Sequence, residues 1–164
     1  MKKITFLFLL ISCIGFAQVT TTPAIPLAEG AVTINFDKAG TPLATTTAIY
    51  AHIGLTVDGT RWSNVKGTWG TTNAPLLTLV SGTTYKLDLT PDLYTYFGVA
   101  TTSAITEICL VLRNAAGTAQ TSPDIFIKVG AFQSTLITPA QNSTSIINSG
   151  GSLSITANNT GGIA

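Results

Sequence analysis

Apolar and polar residues alternate with a period of two in several short segments between residues 31 and 130. Val32, Ile34 and Phe36 alternate with Thr33 and Asn35, which predicts a strand over Ala31–Phe36 with its apolar side chains on one face. Asp37–Thr47 reads as a loop. Ile49–Val57 is a second predicted strand, and Arg61–Val65 a third that turns at Gly67. Leu76–Val80 and Tyr85–Leu89 read as a hairpin closed by Ser81-Gly82-Thr83. Glu107–Arg113 is the most apolar run and is expected at the centre of a sheet. Asn114–Gly117 turns the chain, and Ile125–Val129 closes the unit with Ile125, Ile127 and Val129 on one face and Phe126 and Lys128 on the other.

One helix interrupts this pattern. Thr90-Pro91-Asp92 predicts a start, with Thr90 as N-cap, proline in the first turn and an acidic side chain at the positive end. Leu93–Phe97 then makes one or two turns and stops at Gly98. Tyr94, Tyr96 and Phe97 are expected to pack against the strands. Seven strands and no long amphipathic helix imply an all-β, immunoglobulin-like antiparallel β-sandwich over residues 19–130, with a barrel as the alternative. Val19–Ala28 is Thr- and Pro-rich and is read as extended or mobile rather than as part of the strand count.

The two ends differ in character from this unit. Lys2-Lys3, the apolar run Ile4–Ile14 and the small residues Gly15 and Ala17 form an export signal over residues 1–18. The apolar run is too short to span a bilayer. A lipoprotein reading of Leu10-Ile11-Ser12-Cys13, with Cys13 lipidated, is the alternative. A secreted or outer-surface location follows from either, and no other segment has the length and apolarity of a membrane span. Residues 131–164 carry no charge and are rich in Ser, Asn, Thr and Gly. They are read as a linker or the opening strands of a second immunoglobulin-like module, around Ile137-Thr138-Pro139 and Leu153-Ser154-Ile155-Thr156, in a longer protein. A disordered tail is the alternative.

Charge narrows the function. Only 9% of residues are charged. Removing Lys2 and Lys3 from the eight basic residues leaves six against seven acidic ones. No basic patch exists to hold phosphates, so nucleic acid is not an expected partner. Processing also removes or lipidates Cys13. Cys109 is then the only cysteine, read as a small buried hydrophobe between Ile108 and Leu110. The seven carboxylates are dispersed, and no spacing marks the facing pair a glycosidase needs. No nucleophile elbow, phosphate loop or zinc-ligand set is present. The chain is therefore expected not to be an enzyme and to need no cofactor. Calcium held by backbone carbonyls would leave no trace in the sequence.

The candidate chemistry lies in about twenty residues. Both tryptophans, the single histidine and one of four tyrosines fall between Tyr50 and Trp69. Tyr50 and His52 are two apart and share a strand face. Trp62 and Trp69 flank a loop containing Gly67. Aromatic faces stack on the axial C–H patches of pyranose rings, and Asn64 and Lys66 are suited to sugar hydroxyls. The expected site is a flat platform of Tyr50, His52, Trp62 and Trp69 with Asn64 and Lys66 as polar partners. Each tryptophan taken alone fits a core position equally well.

The segments Val32–Asp37, Ile49–Gly54, Trp62–Trp69, Leu110–Asn114 and Asp124–Val129 together resemble the starch-binding modules of carbohydrate-binding families 25 and 26. Such modules occur at the N-terminus of secreted Bacteroidetes amylase-like proteins. The resemblance covers most of residues 31–130. It implies a β-sandwich that binds α-1,4-glucan through two rings on one strand, matched by Tyr50 and His52, and a following tryptophan, matched by Trp62. Many relatives have an aromatic residue where this chain has His52. Trp69 matches an aromatic of the bacteroidete branch. The implied partners are an α-glucan and a downstream glycoside hydrolase domain. The competing expectation is a structural or adhesive immunoglobulin-like surface module that binds no sugar, with Tyr50 and both tryptophans largely buried.

Overall fold

The computed structural model describes residues 18–130, 133–138 and 153–160. The leader over residues 1–18 lies almost wholly outside the described residues. Eight strands form the sandwich: β1 (Val19–Thr22), β2 (Val32–Asp37), β3 (Tyr50–Val57), β4 (Thr60–Lys66), β5 (Thr78–Ser81), β6 (Thr84–Leu89), β7 (Ile105–Arg113) and β8 (Ile125–Lys128). A short helix, α1 (Leu93–Phe97), joins β6 to β7. One sheet runs β1-β2-β6-β5 and the other β4-β3-β7-β8, and every ladder within them is antiparallel. This order is that of the immunoglobulin sandwich, with β4 as an added strand beside β3. A separate antiparallel pair, β9 (Gln133–Thr138) and β10 (Thr156–Thr160), lies in the C-terminal segment read as the start of a second module. Among the described residues, no helix is long and apolar enough to cross a membrane.

The core follows from the alternation. Val32, Ile34 and Phe36 of β2 and Tyr85, Leu87 and Leu89 of β6 face inward from one sheet. Ala51, Ile53 and Leu55 of β3 and Ile108, Leu110 and Leu112 of β7 meet them from the other. Each of these side chains is buried, and apolar burial at roughly 25 cal/mol per Å² is the main stabilising term. Residues of the same strands with opposite parity point out of the sandwich. That parity sends Tyr50 and His52 to the outer face of the second sheet.

The structure departs from the sequence reading at two local points. Val19–Thr22 is a strand, paired to β2 from Val19↔Phe36 to Thr22↔Thr33. Its threonines give no apolar alternation because it is an edge strand. The N-cap of α1 is Asp92, not Thr90. The Asp92 carboxylate accepts the Thr95 N–H at 2.7 Å and the Thr95 hydroxyl at 2.9 Å. The helix ends at Gly98, whose φ of 71° is the left-handed cap conformation and whose N–H donates to the Tyr94 carbonyl at 2.8 Å. Phe97 is buried in the core as expected, together with Leu93 one turn before it, and Tyr94 and Tyr96 pack partly buried against the core.

Candidate ligand-binding face

The outer face of the β4-β3-β7-β8 sheet is where the rings gather. The β3–β7 register sets Tyr50 opposite Arg113, His52 opposite Val111, Gly54 opposite Cys109 and Thr56 opposite Glu107. Cys109 pairs with Phe126 on β8, so Phe126 shares this face. The β7 members of this set are all buried, although they lie outside the inter-sheet core. Rings, loops and ion pairs therefore cover the sheet from outside.

Trp62 reaches this face through unusual backbone. β4 is bulged twice against β3: its ladder partners step from Thr60 to Ser63 to Lys66 while β3 steps from Val57 to Leu55 to Ile53. The extra residues sit where Trp62 and Asn64 adopt φ of 58° and 53°. Left-handed backbone at a bulky residue is strained, and bulges redirect side chains. Gly54 makes this possible: a Cβ there would lie 2.9 Å from the Ser63 carbonyl oxygen and 3.0 Å from Val65 Cγ2. The Trp62 ring centre is 5.2 Å from that of His52, with planes 31° apart, and 6.3 Å from that of Phe126 on the far edge strand. Trp62 is half-buried, and it lies on the outside of the sheet rather than in the core.

Trp69 comes from the loop between β4 and β5. Its ring centre is 5.0 Å from that of His52 at 84°, and the side chain keeps 43% of its surface exposed. The three rings are thus not a flat platform. The His52 and Trp62 rings pack on one another with planes 31° apart, and Trp69 meets the His52 ring edge-on at 84°. Edge-to-face contact satisfies the quadrupoles of neighbouring rings better than coplanar packing does.

Arg113, the last residue of β7, lies beneath this corner and is completely buried. One terminal nitrogen donates to the Asn114 and Ala115 carbonyls at 2.9 Å each. The other donates to the Thr68 and Thr71 carbonyls at 3.0 and 2.9 Å, so it grips the loop that carries Trp69. The guanidinium carbon is 5.8 Å from the Tyr50 ring centre and 5.5 Å from that of Trp69. Burial draws its pKa down from the ordinary guanidinium value. Arg113 Nε and His52 Nδ1 are buried polar atoms without a hydrogen-bond partner among the described residues. The His52 pKa is lowered, first by burial and then by the Arg113 charge, with Asp124 opposing. A neutral imidazole can both accept from and donate to a hydroxyl.

The far end of the face is sealed by ions. Glu107, 4% exposed, accepts from the Thr56 hydroxyl at 2.9 Å, from Arg61 Nε at 2.9 Å and from Lys128 Nζ at 2.7 Å. Hydrogen bonds from Arg61, Lys128 and Thr56 hold its pKa at about 2. The Arg61 guanidinium in turn lies 4.0 Å from the Phe126 ring centre. Cys109 is buried among these groups, with Sγ 3.5 Å from the Thr56 hydroxyl, in keeping with its reading as a small hydrophobe.

Four of the six sequence-predicted residues therefore converge: His52, Trp62 and Trp69 directly, and Tyr50 through Arg113. Asn64 and Lys66 do not join them. The double bulge turns both towards α1, where Asn64 Nδ2 lies 3.5 Å from the Phe97 and Gly98 carbonyl oxygens and Lys66 Nζ sits 6.0 Å from the Phe97 ring centre. Three further residues belong to the face: Phe126, Arg113 and Arg61. Alternation alone puts Phe126 on this face, but only the strand order brings it near Trp62. No model of a known protein family matches this chain, and no curated protein is similar to it in sequence.

Proposed function

We propose that this protein is a non-catalytic glucan-binding module that holds α-1,4-linked chains against the outer face of its second sheet. The observation that carries this reading is the position of the rings. Tyr50, His52, Trp62 and Trp69 lie outside the sandwich, with Trp69 43% exposed, rather than between the sheets. The angles of His52 with Trp62, 31°, and with Trp69, 84°, also favour a curling α-linked chain, since a flat β-linked ribbon needs coplanar rings. Neutral His52 suits an uncharged ligand. Two or three stacked rings, each contributing roughly 1–2 kcal/mol less the cost of association, give a Kd of about 10 µM to 1 mM. Such affinity serves a module tethered to an enzyme or repeated along a polymer.

Most carboxylates already have structural partners, which supports a non-catalytic role. Asp92 caps α1, Asp88 pairs with Lys86, Asp58 accepts the Ala104 N–H, Asp37 accepts the Ala39 N–H, and Glu107 accepts from Thr56, Arg61 and Lys128. In this reading the chain is exported by its N-terminal leader and directs a downstream glycoside hydrolase to starch or maltodextrin.

One feature favours the competing reading, a structural or adhesive surface module. Trp62, His52 and Phe126 pack on one another and so cover the β7 residues beneath them. Affinity electrophoresis through amylopectin separates the two. The glucan reading predicts retarded migration that free maltoheptaose relieves, and unretarded migration refutes it.

A further inference from the structure

We propose that Arg113 and Gly117 are positioning residues that hold the Trp69 indole in its upright, ligand-ready pose before any ligand arrives. This role rests on the glucan reading for its purpose but not for its geometry. Trp69 sits on a loop that has no ladder partner of its own at that point. Within the loop, Thr68 N–H donates to the Asn73 carbonyl at 2.8 Å and the Thr71 hydroxyl to the Thr68 carbonyl at 3.0 Å, which shapes it locally. Backbone bonds from Ala51 N–H to the Pro75 carbonyl and from Leu77 N–H to the Ile49 carbonyl fix the far end of the loop to the start of β3. Arg113 supplies the attachment of the part around Trp69. Its buried guanidinium bridges the carbonyls of Thr68 and Thr71 to those of Asn114 and Ala115, so one side chain ties the Trp69 loop to the β7–β8 turn.

The second support is the missing side chain at Gly117 in that same turn. A Cβ there would fall 2.8 Å from Trp69 Nε1, closer than real Cβ contacts allow, and 3.2 Å from Cε2, which is tight. The indole edge therefore rests against the bare backbone of Gly117, whose φ of 73° also suits glycine. Arg113 holds the loop from below and Gly117 makes room for the ring from the side. A planar fork with two terminal nitrogens can satisfy both loops at once, and a lysine ammonium cannot do so in the same geometry. Fixing a ring before binding removes an ordering cost from association.

The test uses Trp69 as a reporter. With Trp62→Phe as the parent, Trp69 is the sole tryptophan, and its acrylamide quenching and fluorescence anisotropy are read without ligand. Arg113→Lys and Gly117→Ala are each expected to raise quenching and lower anisotropy. Gly82→Ala controls for backbone strain, because Gly82 has φ of 53° in the β5–β6 turn with nothing near its would-be Cβ. It is expected to leave both signals at the parent values. In the protein that retains Trp62, Gly117→Ala is expected to weaken amylopectin affinity about tenfold, the worth of roughly one stacked ring. Parent-like quenching and anisotropy in both variants, or an equal change in Gly82→Ala, overturns the proposal. A released Trp69 with undiminished affinity overturns it as well. If the unsubstituted protein passes unretarded through amylopectin, the glucan reading fails, and the ligand-free fluorescence still decides whether Arg113 and Gly117 seat the ring.

Discussion

Trp62 invites a perturbation in which two substitutions separate backbone from ring. The residue is half-buried and touches His52 and Phe126. Truncating a fully buried Trp costs about 3–5 kcal/mol, so Trp62→Ala is expected to cost roughly half of that. Trp62→Gly removes the same ring, but it also relieves the left-handed backbone at φ of 58°. A non-glycine residue in that region costs about 1–2 kcal/mol, against a smaller loss from the greater freedom of glycine in the unfolded chain. Trp62→Gly should therefore be the more stable of the two by about 1 kcal/mol, the reverse of the order at an ordinary strand position. That difference is read as a shift of roughly 4 °C in Tm for a domain of this size, or as a displaced urea midpoint. Both variants should lose about tenfold in maltoheptaose affinity by titration calorimetry, the equivalent of one stacked ring. A Gly variant no more stable than the Ala variant refutes the bulge geometry. Unchanged affinity in both removes Trp62 from the binding face.

Two further outcomes follow from the same face. Glu107 is held at a pKa of about 2, below the value near 4.3 for a free glutamate, so it favours the folded state above that unfolded value and this contribution is lost as pH falls through about 2. Thermal melts between pH 5 and 2 should show a falling Tm, and Glu107→Gln should flatten that dependence; equal slopes refute the buried carboxylate network. Gly67 has φ of 77°, and a Cβ there would run into the Asn73 carbonyl and Ala74. Gly67→Ala is expected to destabilise by about 2 kcal/mol or more in urea unfolding, and a wild-type midpoint contradicts the tight turn behind the Trp69 loop.

The sandwich was legible in the sequence wherever a strand has one wet and one dry face. Val32, Ile34 and Phe36, or Tyr85, Leu87 and Leu89, can alternate only if a core lies on one side. Val19–Thr22 carried no such signal because threonine fills both its half-buried and its exposed face, at Thr21 as at Thr20 and Thr22. Asp92 was visible as an acidic residue at the start of α1, but choosing it over Thr90 as the cap required knowing where the first turn begins. For the site, a period of two was enough to place Tyr50 and His52 together. It failed for Asn64 and Lys66, since two extra residues in β4 turn them towards α1, and neither bulge has a glycine to announce it. The tilt of the rings was hidden for a related reason: Trp69 is posed by Arg113 and Gly117, some fifty residues away in sequence. Arg113, at the end of an apolar run, gave no sign of being a buried cation that holds two loops together.

The central claim is that the tryptophans form a wet surface that a glucan covers. Acrylamide quenching of tryptophan fluorescence, with and without saturating maltoheptaose, tests it most directly. The account predicts efficient quenching in the free protein and marked protection by the oligosaccharide. Quenching that maltoheptaose leaves unchanged contradicts it.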